Sequence, residues 1–93
     1  MDLEWDEEKR RTNLAKHGVD FEAIVRFFEG PTFERIDERR AYSEDRIIAT
    51  GVVAEEELTV VYTWRGNSRR VISARRAHPN ERRAYRAAYP LSS

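Results

Sequence analysis

The apolar residues of this chain change their spacing part-way along it, and that change limits the folds open to it. Up to Gly30 the spacing is helical: Phe21, Ile24, Val25 and Phe28 stand at i, i+3, i+4 and i+7, the stripe that a helix buries. After it the period is two. DRIIATGVV (45–53), ELTVVYTW (57–64) and SRRVISARR (68–76) are rich in β-branched residues and read as strands, and TFERID (32–37) reads as an edge strand. The connections AEE and RGNS are short enough to require antiparallel hairpins.

Capping signals bound the helices. Asp6 is the N-cap of the first, with Glu7 and Glu8 complementing the dipole, and Gly18 ends it after His17. Its apolar content is poor, so it should lie on the surface, pinned by Trp5 and Leu14. Asp20 caps the second helix, Val19 and Ile24 form a hydrophobic staple, and Gly30-Pro31 stops it. A last helix starts at Pro79 and runs to about Tyr89. The expected architecture is α+β: α-α-β-β-β-β-α, a helical hairpin and a C-terminal helix around a four-stranded antiparallel sheet. At 93 residues this is one domain, with a thin core that buries roughly 60–65% of the unfolded surface.

Several chemistries are excluded. There is no cysteine, hence no disulfide, thiolate metal site or cysteine nucleophile. His17 and His78 are the only histidines, far apart and in no HxH or HExxH pattern, so no metal or other cofactor is expected. No serine lies in a G-x-S-x-G elbow. The apolar runs are short and the N-terminus is acidic, which argues against a membrane span or signal peptide and for a cytoplasmic protein.

Net charge is zero, but it divides unevenly. Residues 1–45 hold 8 basic against 13 acidic side chains, and residues 46–93 hold 9 against 4. From Arg65 onward there are 8 arginines and one acid, Glu81. Codon usage in a GC-rich genome would explain arginine replacing lysine, though not this clustering. The segment 65–86 therefore points to a polyanion or an acidic partner. Strict alternation places Arg69, Val71, Ser73 and Arg75 on one face of the fourth strand and Arg70, Ile72, Ala74 and Arg76 on the other. Arginines projecting from a sheet can hold a phosphate backbone, and Tyr62 and Trp64 on the neighbouring strand could stack on bases. The structural alternative makes Tyr62 and Trp64 core and Arg70 and Arg76 solvated flank. The turn LAKHGVDF (14–21) sets Lys16 and His17 at a helix C-terminus, either as dipole-compensating residues or as part of a site. His78 reads as a helix-entry residue.

With these motifs in order, the chain resembles the BrnT toxins of type II toxin–antitoxin systems over about residues 3 to 86. The resemblance rests on WDEEKRRTNLAKHGVDFEAIVRFF (5–28), Glu44-x-Arg46 with Gly51, LTVVYTWRG (58–66), VISARRA (71–77) and ERRAY (81–85). It departs at His78-Pro79, where relatives enter the last helix through a Thr or Ser cap. The resemblance implies a fold related to the RelE ribonucleases and RNA cleavage that blocks translation. It also implies neutralisation by a BrnA-type antitoxin that contacts DNA itself, leaving the toxin only indirectly linked to DNA. On that reading His17 is the general acid or base, Arg65 and Arg75 stabilise the phosphorane and Lys16 assists. Tyr62, Arg69, Arg70 and Arg76 would contact RNA. The alternative is a non-catalytic nucleic-acid-binding or protein-interaction module using the same arginine-rich face.

Overall fold

Asp6 and Gly18 delimit the first helix as their chemistry requires. The Asp6 carboxylate accepts from Glu8 N at 2.8 Å and Lys9 N at 3.4 Å, and Gly18, at φ 72°, donates its N–H to Leu14 O. The computed structural model describes residues 2–38 and 44–90. Their order is β1 (Asp2–Glu4), α1 (Glu7–His17), a 3₁₀ turn (Phe21–Ala23) running into α2 (Ile24–Phe27), β2 (Phe33–Ile36), β3 (Ile47–Val53), β4 (Glu56–Arg65), β5 (Ser68–Arg76) and α3 (Pro79–Ala88).

The α+β class holds, but the sheet has five strands, in the order β1-β5-β4-β3-β2. The additional strand, β1, pairs parallel to β5, with Leu3 opposite Arg69. Three residues with one apolar side chain carry no readable period, and their partner lies more than sixty residues away. The β2–β3, β3–β4 and β4–β5 pairs are antiparallel as expected. Ala54 and Glu55 turn the β3–β4 hairpin at φ 49° and 68°, and Gly66, at φ 59°, opens the β4–β5 turn.

The second helix begins as 3₁₀, which shifts its buried stripe. Phe21, Ile24, Phe27 and Phe28 enter the core, whereas Val25 is 49% exposed. A tighter first turn rotates position 25 outward and brings Phe27 in. These side chains pack with Val19 against Ala49, Leu58, Val60, Tyr62, Val71 and Ala74 on one sheet face. Gly51 shares that face, and a Cβ there would stand 2.9 Å from the Phe27 ring. The opposite face carries Thr50 and Thr59, fully covered where α3 packs, and Ile48 beside them.

A bulge reorganises β5. Val61 pairs with Ser73 but Tyr62 pairs with Val71, so Ile72 is an extra residue. Strict alternation therefore fails across Ile72. Val71 and Ala74 both face the core, while Arg69 and Arg75 project from opposite faces, not from one. Leu14, 43% exposed, does not pin α1 to the sheet. That role falls to Trp5, edge-on to Phe21, and to Asn13, the one α1 residue that is buried.

Candidate functional site

The face of α1 that borders β5 is polar, and of its side chains only Asn13 is buried. Asp6, Lys9, Asn13 and Lys16 follow the spacing at which an amphipathic helix would carry leucines, and His17 stands beside them. Asn13 replaces apolar contact with hydrogen bonds. Its Nδ2 donates to Val19 O at 2.9 Å and Ala74 O at 2.8 Å, and its Oδ1 accepts from Ala74 N at 3.1 Å. The amide thus pairs with the open edge of β5 as a neighbouring strand would. Where β1 has ended and the bulge begins, a shallow cleft of about 480 Å³ opens between α1 and β5. Asp6, Glu8, Lys9, Thr12, Asn13, Lys16, His17, Ile72 and Ser73 line it.

His17 and Lys16 thus meet in one cleft, at a helix C-terminus whose dipole favours cations. The predicted arginines do not join them. Arg65 lies at the β4–β5 turn and Arg75 near the far end of β5, seven positions beyond Arg65's cross-strand partner Ser68. That is roughly 20 Å of strand, too far for both to hold one phosphate. Arg75 is also committed elsewhere. Its guanidinium donates to both Glu81 carboxylate oxygens, at 2.7 and 3.0 Å.

Glu81 is the centre of that contact. It is buried, and it also accepts from Thr59 Oγ1 at 3.0 Å and from His78 N at 2.8 Å, while Arg35 approaches to 4.0 Å. The bond from His78 N is the half of a capping box in which the N3 carboxylate takes up the N-cap residue's own N–H. Burial pushes the Glu81 carboxyl up, but the bonds from Arg75, His78 N and Thr59 outweigh it and hold the group at about 2. This network ties α3 to the sheet.

The remaining predicted contacts divide by exposure. Tyr62 is 1% exposed and donates to Glu34 at 2.9 Å, so its ring is core and is closed to bases. Burial raises its phenol pKa. Arg70 pairs with Glu4 at 3.0 Å, and Arg76, largely solvated, stands 3.6 Å from Glu56. The Arg69 guanidinium lies over three rings, 4.3 Å from the Phe28 centroid, 4.6 Å from Trp64 and 5.3 Å from Tyr62. Arg65 has no ion pair among the described residues. Sequence reasoning missed the roles of Lys9, Asn13 and Glu81. The i, i+4, i+8 spacing of Lys9, Asn13 and His17 was the signal that would have placed them on one face.

A family model described as the ribonuclease toxin BrnT of type II toxin–antitoxin systems matches residues 5–81. The chain belongs to the BrnT family. It is accordingly the toxin of a type II pair, with a ribonuclease role, RNA as substrate and a protein antitoxin as partner. The match spans α1, the cleft and β5, and it ends on Glu81. No curated protein matches the chain. Among the described residues no group of three His, Asp or Glu side chains could hold a metal ion, and no helix is long and apolar enough to cross a membrane.

Proposed function

We propose that this BrnT protein is a metal-independent endoribonuclease whose scissile phosphate enters the α1–β5 cleft. The observation that carries this reading is the meeting of His17 with Lys9, Lys16, Thr12 and Ser73 along one open groove. Metal-free RNA cleavage uses the substrate's own 2′-oxygen. It attacks phosphorus, the P–O5′ bond breaks, and the products are a 2′,3′-cyclic phosphate and a 5′-hydroxyl. One proton leaves the 2′-hydroxyl and one reaches the 5′-oxygen. His17 performs one of these transfers, because histidine exchanges protons near neutral pH. Lys16 and Lys9 offset the charge that builds on the phosphorane. Arg75, occupied by Glu81, acts through the fold in this assignment, whereas Arg65, Arg69 and Arg70 lie along the path of the RNA at the β4–β5 turn.

In the cytoplasm such cleavage would arrest translation. The partner is a BrnA-type antitoxin that brings its own DNA-binding domain, and the fold is kin to the RelE ribonucleases. Cleavage of a labelled RNA by the purified toxin in EDTA tests the assignment. His17→Ala should lower the rate by ~10²–10⁴-fold and leave the fold intact. A wild-type rate in that variant would remove His17 from the chemistry, and cleavage that needs added divalent cation would overturn metal independence.

A further inference from the structure

We propose that Trp64 is a stacking platform for an unpaired base of single-stranded RNA. The inference rests on RNA being the substrate, and it names the feature of that RNA which the protein grips.

Trp64 is 46% exposed at the end of β4, although Val60 and Tyr62 on the same face are buried. Its ring is nevertheless held. The Tyr62 ring meets it edge to face at 5.7 Å and 84°. From the adjacent strand its partner Arg69 sets a guanidinium 4.6 Å from the indole centroid, with the Phe28 ring 4.3 Å from the same guanidinium. Arg69 Nε is buried with no hydrogen-bond partner, so ring contacts rather than hydrogen bonds fix this part of the guanidinium. An indole immobilised in this way gives up little side-chain entropy when a flat ligand lands on it. Base–aromatic stacking, assisted by an arginine, is how single-stranded nucleic acid is gripped irrespective of sequence.

The surroundings favour a nucleic acid. Residues 64–70 hold Arg65, Arg69 and Arg70. β1 sets Asp2 and Glu4 beside them and Glu4 pairs with Arg70, so, with Arg69 held among the rings, Arg65 is the cation of this stretch with no ion pair among the described residues. It is free to meet the phosphate beside a stacked base. From Arg69 to Ile72 at the cleft is three residues of β5, about 10 Å. One single strand could therefore run from a base on Trp64 into the cleft that His17 also lines.

The test is binding of a short single-stranded oligonucleotide carrying 2′-O-methyl groups throughout, which blocks the attacking oxygen, measured by fluorescence anisotropy over a range of salt. Trp64→Ala should weaken binding roughly 10-fold. Trp64→Phe should restore most of that loss, because any aromatic face stacks. The salt slope of Trp64→Ala should match wild type, since stacking releases no counterions, whereas Arg65→Ala should flatten the slope by about one. Trp64→Ala should lower the melting temperature by only a few degrees, the loss of its contacts with Tyr62 and Arg69, and Trp64→Phe by less, with both variants folded at the assay temperature. If the wild type cleaves and binds RNA but Trp64→Ala binds equally well, the platform is refuted and the ribonuclease assignment stands. If the wild type neither binds nor cleaves RNA, both fall. If Trp64→Ala binds RNA normally and loses only the antitoxin, the ring belongs to a protein interface and the proposal is overturned.

Discussion

Asn13 ties α1 to both the turn that follows it and the distant strand β5, because it satisfies backbone groups at Val19 and Ala74. Removing it leaves the Ala74 N–H, the Ala74 carbonyl and the Val19 carbonyl to find other partners. Unpaired buried polar groups cost about 1–3 kcal/mol each, and water entering from the cleft would recover part of this. Asn13→Ala should therefore lose roughly 2–4 kcal/mol in urea denaturation. His17→Ala, which removes no hydrogen bond found in the structure, should stay within about 0.5 kcal/mol of wild type. That contrast separates the residue that builds the cleft from the residue proposed to act in it.

Among the elements, β3 and α2 depend most closely on one another. Gly51 lets the Phe27 ring lie directly on the strand, where a methyl group would stand 2.9 Å from one ring carbon and 3.1 Å from the next. Phe27 is fully buried and cannot swing away. Gly51→Ala should cost about 1–3 kcal/mol by overpacking, seen as a lower melting temperature. Gly30→Ala is the control. Its Cβ would meet only a carbonyl oxygen at 4.0 Å, so the change should be small. The β5 bulge has the opposite character. It adds a residue at Ile72, which turns Arg75 toward α3 and leaves a wall for the cleft.

Across the whole molecule, ion pairing removes much of the positive charge that the chain displays when read linearly. Of the eight arginines from Arg65 onward, Arg70, Arg75, Arg76 and Arg86 pair with Glu4, Glu81, Glu56 and Glu57. Arg69 is held among rings, which leaves Arg65, Arg82 and Arg83 as the unpaired cations of that stretch among the described residues. The buried pair at Glu81 also sets the acid stability. Its folded pKa, about 2, lies below the ordinary 4.5, so its contribution is fully present above about 4.5 and is lost as pH falls toward 2. A difference of that size corresponds to roughly 3 kcal/mol. Asp20, hydrogen-bonded by Arg10 and by Glu22 N, is also lowered and adds in the same direction. Denaturation midpoints measured at pH 7, 4, 3 and 2 should fall steeply over the acid end. Glu81→Gln should be less stable at neutral pH and show a flatter decline. An unchanged acid profile in that variant would remove Glu81 from this role.

By itself the sequence determined what depends on neighbours within a turn or a hairpin. The caps at Asp6, Gly18 and Asp20, the limits of β5 and the short antiparallel connections all follow from side chains a few residues apart, where periodicity and backbone preference act directly. Much of the cleft's lining was legible in the same way, because Lys9, Asn13, Lys16 and His17 share one helical face whatever the helix packs against. Tertiary structure decided what that face meets. The pairing of β1 with β5, the bond from Asn13 to Ala74, and the commitment of Arg75 to Glu81 rather than to a phosphate join groups that local spacing does not relate. Asn13 and Ala74 are 61 positions apart, and Arg70 and Glu4 are 66. One inserted residue at Ile72 reverses which faces of β5 its arginines occupy, and no alternation pattern announces it. Local chemistry sets the elements, whereas register and burial, which belong to the whole sheet, decide which charges remain available to RNA.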